Sequence, residues 1–378
     1  MNHITIRHCA SRCCAAVIAL GGATAAGAQA ERPLESVLTY RTTKVADGIY
    51  AFVTPEERTG LQSGNSIVIV GDDGVLVFDT GNIPSSTRRQ IAEIRKLTDK
   101  PVRYVVNSHW HPDHNLGNSE YRAAFPNAIF IGTSATRAGI QARVPGYFNE
   151  IRSFGPTDSL MKLRLSTGKM RDGSAMPNSV RVMWGLMTRD YGEFMPEVLS
   201  ARAFAPETIF DDSLTLWLGQ RQLKLVRPGR GNTEGDTFMF VPDASVVLTG
   251  DLVTVPCPFP STSFFSDWIA ALDRLKALKA STIVPGHGDV QHEYTYVELT
   301  RELLVFTREK ARAAVLKGQT LEQLDKETDF SDFIKRFGGS DLVRNDAFNS
   351  FYAHVGLQRA YDEAKFMLQG PIQPGDKH

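Results

Sequence analysis

Cysteine is nearly absent from this chain. Of four in 378 residues, Cys9, Cys13 and Cys14 fall within the first fourteen positions, and only Cys257 lies beyond them. A chain that loses its leader can then form no internal disulfide, so its fold must rest on an apolar core and on any bound metal. An excess of charge of one sign is missing too, since 42 Lys and Arg balance 42 Asp and Glu. That balance argues against electrostatic capture of nucleic acid or of an acidic membrane as the main task. There is no fixed-period repeat, so a solenoid is not expected. No Gly-x-Ser-x-Gly elbow occurs, which argues against covalent serine catalysis.

The first thirty residues are written differently from the rest. Arg7 and Arg12 precede an apolar run, Ala15 to Leu20, and Ala28-Gln29-Ala30 follows it. These are the three regions of a secretory signal, with cleavage expected after Ala30 and a periplasmic or secreted product. The run falls short of the roughly 20 apolar residues that a permanent span requires, so no stable membrane anchor is expected. Cys13 and Cys14 precede the run, whereas a lipid-attachment cysteine would follow it.

With 42% hydrophobic residues the remainder is long enough for a full core. Segments 48–53, 65–70 and 74–79 read as strands joined by tight turns, a mainly antiparallel start. Ile91, Ile94 and Leu97 give segment 86–97 helical spacing, and it leads into a buried strand at 102–106. Segment 133–210 has weak periodicity and reads as an insertion, partly helical around 135–151. Strands are expected again at 214–218, 223–226, 237–241 and 245–248, followed by a helix over 267–278 and a strand at 282–284. From 294 to 378 the pattern is that of a helical extension, with 31–293 as the main unit.

The densest chemistry lies in His109-Trp110-His111-Pro112-Asp113-His114, three imidazoles and a carboxylate just past a strand's carboxyl end. Imidazole suits zinc, and carboxylate adds a hard oxygen, so the run reads as a metal site. Alternation along an extended segment would put His109, His111 and Asp113 on one side and bring His114 in from a turn. Four further segments end strands with polar residues: Asp79-Thr80-Gly81, Asn232 to Asp236, Thr249-Gly250-Asp251, and Gly286-His287-Gly288.

In order and spacing, this set resembles the metallo-β-lactamase superfamily over about residues 45–290. The resemblance implies an α/β protein, a four-layer αβ/βα sandwich with a metal cleft at one edge of its two sheets. It implies one zinc on His109 and His111 and a second on Asp113, His114 and His287, with Asp251 between them. A metal-bound hydroxide would then cleave an ester, thioester, lactone or phosphoester of a small molecule, with Asp113 and Asp251 as catalytic carboxylates. One position departs from the pattern: Asn232 stands where the family carries histidine, so its ligand role is expected to be weak or lost. One or two metals per chain are therefore expected, and iron or manganese remain open beside zinc. Asp251 replaces the cysteine or serine typical of true β-lactamases, and no lysine follows three residues later, so β-lactam hydrolysis is the secondary reading. A non-catalytic binding member with a degenerate site is a reading from another class. Asp79 and Asp236 are expected to orient ligands from behind. Trp110, Phe264 and Phe265 are expected to line the substrate pocket, and Tyr147 and Phe148 to form a lid. Oligomeric state is not legible.

Overall fold

The computed structural model describes residues 38–56 and 63–369. The expected leader, and with it cleavage after Ala30, lies outside them, as does His378. A seven-stranded sheet runs in spatial order β1 (Arg41–Ala46), β2 (Ile49–Val53), β3 (Ser66–Val70), β4 (Val75–Phe78), β5 (Val102–Val106), β6 (Ile129–Gly132) and β7 (Thr208–Ile209). Its first four strands pair antiparallel and the last three join in parallel. A five-stranded sheet holds β8 (Ser213–Leu218), β9 (Arg221–Val226), β10 (Phe238–Val241), β11 (Val246–Leu248) and β12 (Thr282–Val284), all antiparallel except β11 with β12.

Period-two alternation explains the layering. In β3, Ile67 and Ile69 face the second sheet and meet Leu223, Leu225, Met239 and Leu248. Val68, between them, faces the opposite way onto Ile91 and Ile94 of α1 (Pro84–Leu97). α2 (Asn118–Ala124) lies on that same outer face through Tyr121. On the far side, Phe238, Val247 and Ile283 pack against Trp268 and Leu272 of α5 (Phe265–Ala277). The protein is thus a four-layer αβ/βα sandwich. Each fully buried aliphatic or aromatic side chain contributes about 1.5–3 kcal/mol, against about 0–1 kcal/mol for an exposed ion pair, so the apolar layers hold the fold.

Between β6 and β7 stand two long helices, α3 (Ser134–Thr167) and α4 (Asn178–Ser200). The expectation of a partly helical segment ending near 151 is too short. Pro145 and Gly146 interrupt the pattern in the sequence, but Ile140, Val144 and Ile151 of α3 pack on Tyr191, Phe194 and Val198 of α4, and this packing carries the helix through.

The segment beyond 294 forms α6 (Thr295–Leu316), α7 (Leu321–Glu327), α8 (Ser331–Gly338), α9 (Leu342–Phe348) and α10 (His354–Gln369). These helices share one core with α5 through Leu303, Leu304, Phe333, Phe348 and Leu357, so the extension is built into the outer layer. Among the described residues no helix is long and apolar enough to cross a membrane.

Candidate metal centre

The polar segments converge at the carboxyl ends of the strands. Asp79 follows β4 directly, at a left-handed φ of 60°. The histidine run follows β5, bends over Ser108–Trp110, is extended at His111, and then makes a single 3-10 turn over Pro112–His114. Alternation therefore ends one donor earlier than expected, because the turn at Pro112 carries Asp113 away from His109 and His111 and toward His114. Asp251 follows β11 and His287 follows β12, and their loops touch where Gly286 N–H donates to the Gly250 carbonyl at 2.9 Å. Only glycine fits at position 286, where a Cβ would stand 2.1 Å from Asp251 Oδ1.

Two donor groups result: Asp113, His114, Asp251 and His287, and beside them His109, His111 and Asp251. In the first, His114 Nε2 lies 3.2 Å from Asp113 Oδ2, 3.1 Å from Asp251 Oδ1 and 3.1 Å from His287 Nε2. His287 Nε2 lies 3.0 and 3.4 Å from the same two oxygens. Four ligands about 2.0–2.1 Å from a tetrahedral ion stand about 3.3–3.4 Å apart, so this group is spaced for one cation. The second group is looser, with Asp251 Oδ2 at 3.5 Å from His109 Nε2 and 4.0 Å from His111 Nδ1. His109 Nε2 is buried there without a hydrogen-bond partner, an orphaned lone pair that a cation would satisfy.

The ring orientations trace back to Asp79. It accepts from the Ser108 N–H and Oγ–H, both at 2.7 Å, and from His114 Nδ1 at 2.9 Å. Ser108 has spent its one proton on the carboxylate, so its oxygen must accept from His109 Nδ1, 2.9 Å away. Both histidines thus carry the proton on Nδ1 and turn a bare Nε2 inward. Asp79 thus touches two rings of the histidine run, one directly and one through Ser108. Asp236 does not touch a ligand ring. Its Oδ2 accepts from the Thr233 N–H and Oγ, closing the turn that carries Asn232. Burial pushes Asp236 up to about 7, against the hydrogen bonds from Thr233 and with help from the charge on Asp251.

Asn232 reaches the second group. Its Nδ2 lies 3.4 Å from His111 Nδ1 and 3.5 Å from Asp251 Oδ2, while its Oδ1 is buried and unpartnered. As placed, the amide presents its donor side to Asp251, and serving as a ligand requires turning Oδ1 inward.

Electrostatics favour a cation in the first group. Burial opposes charge on His287, but Asp251 and Asp113 outweigh it and raise the imidazole to about 9. His114 is likewise lifted well above 6.5 against burial, by Asp251, Asp113 and Asp79. Burial would raise Asp113 and Asp251, yet His114 and His287 hold both below the usual carboxylate range. Two protonated nitrogens cannot face each other at 3.1 Å, so one divalent ion answers this demand better than two protons do. His109 behaves oppositely. Burial, helped by the charge on His114, takes it down to about 4 against the pull of Asp251, leaving a neutral donor.

A family model described as the metallo-β-lactamase superfamily matches residues 59–287, more than half of the chain. The chain belongs to the metallo-β-lactamase superfamily. A linear primary-alkylsulfatase from Pseudomonas sp. (strain ATCC 19151) is 24% identical over 280 residues, 68% of this chain and 48% of the relative. The chain thus spans about half the length of that curated relative. Among solved structures, a metallo-β-lactamase from Pontibacter korlensis has a TM-score of 0.49 at 18% identity, covering 71% of this chain and 99% of that one. The mono-zinc form of the metallo-β-lactamase FIM-1 from Pseudomonas aeruginosa has a TM-score of 0.48 at 15% identity, covering 72% and 97%.

This metallo-β-lactamase-superfamily chain lines its cleft differently from expectation. Phe265 is fully buried and belongs to the core with Trp268, because it opens α5 facing the sheet, so it is no pocket wall. Phe264, one residue earlier, is half-buried, with the guanidinium of Arg230 over its ring at 4.2 Å and that of Arg359 at 5.8 Å. Trp110 stands edge-on to His111 at 4.6 Å, but it is 8% exposed, bonded to Glu234 Oε2 and covered by Arg143, so it walls the centre from α3. Tyr147 and Phe148 pack against the α3 and α4 core. His292 lies beside Thr282, His354 beside Asp325, and Cys257 in the outer core.

Three residues of the site escaped the sequence reading. Ser108 directly precedes the cluster, and a hydroxyl there was the one available signal. Asn65 ties β3 to the His287 loop, its Nδ2 donating to the Pro285 and Gly288 carbonyls at 3.0 and 2.8 Å. Thr262, 3.0 Å from His111 Nε2, left no signal in its local sequence.

Proposed function

We propose that this superfamily member is an exported hydrolase of small-molecule ester-type bonds, holding one divalent cation firmly and a second weakly. The carrying observation is the unequal pair of donor groups that share Asp251, one closely spaced and one loose with an amide where a third imidazole would stand. Zinc fits the histidine-rich first group, and the oxygen donors also admit manganese or iron. A bound cation supplies a lowered pKa for water and positive charge for an oxygen that becomes anionic.

The chain's own residues do the rest. Asp113, at 14% side-chain exposure against 5% for Asp251, is the carboxylate more open to water, and with Oδ2 turned to His114 and His287 it takes the proton at Oδ1. Asp251 orients both donor groups, and either carboxylate can return the proton to the leaving oxygen. The substrate class covers carboxylic esters, thioesters, lactones and phosphoesters. Sulfate esters join it through the name of the alkylsulfatase relative. A β-lactam is disfavoured, since the third residue after Asp251 is Thr254, buried and donating to the Cys257 carbonyl, with no cation there for a lactam carboxylate.

A panel of p-nitrophenyl acetate, a thioester, a lactone, bis-p-nitrophenyl phosphate, p-nitrophenyl sulfate and nitrocefin tests this reading. Chelator-sensitive turnover is expected on at least one of the first five. Dominance of nitrocefin would overturn the substrate class, and silence on every member would point to a binding protein. Export is checked by the amino terminus of the protein recovered from a periplasmic fraction, expected at Glu31.

Asn232→His is expected to convert the loose group into a firm one. Elemental analysis after dialysis should find about one metal per chain in the parent and about two in the variant. Two firmly held equivalents in the parent would sink the unequal-site reading.

A further inference from the structure

Thr262 lies on the loop before α5, away from every strand end that supplies a donor, yet its hydroxyl sits on the ring of His111. Its Oγ lies 2.9 Å from the Asn232 carbonyl and 3.0 Å from His111 Nε2. A carbonyl only accepts, so the single hydroxyl proton goes to Asn232. Toward His111 the oxygen must then accept, which requires a proton on Nε2. A neutral His111 is left with its lone pair on Nδ1, the atom that faces Asp251 Oδ2 and the Asn232 amide.

The loop is pinned on both sides of Phe264. Phe264 N–H donates to the Gly231 carbonyl at 2.8 Å, joining the loop to the turn that bears Asn232. From α10, Arg359 donates to the Ser263 carbonyl at 2.7 Å, and Glu363 accepts from Phe265 N–H at 2.6 Å and Ser266 N–H at 3.0 Å. α5 starts without a side-chain cap of its own, so Glu363 supplies that cap from the far end of the chain.

We propose that Thr262 is a positioning residue that sets the tautomer of His111, making Nδ1 the donor of the loose metal group, and that α10 holds Thr262 in place through Arg359 and Glu363. The proposal rests on the reading above that this group takes a metal. Through that loop the C-terminal extension reaches the loose half of the centre. The other half, on Asp113, His114, Asp251 and His287, is held by Asp79 and the strand-end loops.

The variants are Thr262→Val, which removes the hydroxyl at nearly constant shape, and Thr262→Ser, which keeps it. The first readout is the tautomer, taken from long-range nitrogen–proton NMR correlations of the metal-free protein in alkaline buffer. His111 is expected as the Nε2–H form in the parent and in Thr262→Ser, and as a mixture in Thr262→Val. The second readout is cobalt(II) titration followed by visible absorption. The weaker step is expected to lose about 10–100-fold in affinity in Thr262→Val, and the tighter step to stay unchanged as an internal check of folding. Arg359→Met is expected to shift the His111 signals in the same direction by less. An unchanged His111 tautomer in Thr262→Val overturns the role of Thr262, and a parent-like spectrum in Arg359→Met overturns that of α10. Nε2–H His111 in a parent that takes no second cobalt leaves the tautomer assignment standing and overturns the metal reading of the loose group.

Discussion

Asp251→Ala is expected to empty both donor groups and to lower turnover by roughly 10³-fold or more, because a cation in such a site contributes several kcal/mol to the barrier. Among the described residues no other side chain belongs to both groups, since Oδ1 faces His114 and His287 while Oδ2 faces His109 and His111. The loss extends beyond one ligand. His114 and His287 owe their raised pKa values first to Asp251, so removing it also weakens the demand for positive charge in the closely spaced group. Elemental analysis of the purified variant, with circular dichroism to check folding, decides the matter. A variant that keeps a firmly bound metal at either group would show that Asp251 is not shared.

Asp79→Asn is expected to weaken metal at both groups by about 10–100-fold with little change in backbone. The choice of asparagine matters. Asp79 sits at φ 60°, where asparagine and aspartate are the side chains best tolerated after glycine, so the variant tests the carboxylate without straining the turn. What is lost is an acceptor, since an amide cannot receive from Ser108 N–H, Ser108 Oγ–H and His114 Nδ1 with the same two atoms. Ser108→Ala provides the contrast, because it cuts only the branch to His109. Affinity at the Asp113, His114, Asp251 and His287 group should then remain near that of the parent. Equal losses at both groups in Ser108→Ala would refute the branching described here.

The sandwich was legible because its strands carry strong local signals. β5 and β12 lie where the alternating and buried runs put them, and α1 starts two residues ahead of its expected span, at Pro84. The donors were legible for a similar reason. Each sits within a few residues of a strand's end, and the strand itself is easily read. Legibility failed where a distant contact decides the outcome. α5 begins two residues early because Glu363, nearly a hundred positions away, caps it, and that shift turns Phe265 from the cleft into the core. α3 runs past Pro145 because α4 covers its apolar side. Thr262 acts on His111 across 151 positions of sequence, and no window around either residue contains the other.

The crossover between β6 and β7 carries a consequence for how this protein can change. Its first turns are tied to the centre, as Thr133 and Thr136 both reach the Gly235 carbonyl at 3.1 Å and Arg143 pairs with Glu234. Farther along, Glu197 of α4 accepts from the Ser85 N–H at 3.0 Å, and the chain rejoins the sheet at Thr208 and Ile209. Loop-closure entropy rises only logarithmically, by about 0.6 kcal/mol for each doubling of length. Descendants of this chain can therefore lengthen or shorten the outer part of the hairpin at little closure cost, provided that Ile151 keeps its packing on Tyr191 and Phe194, while every donor stays in place.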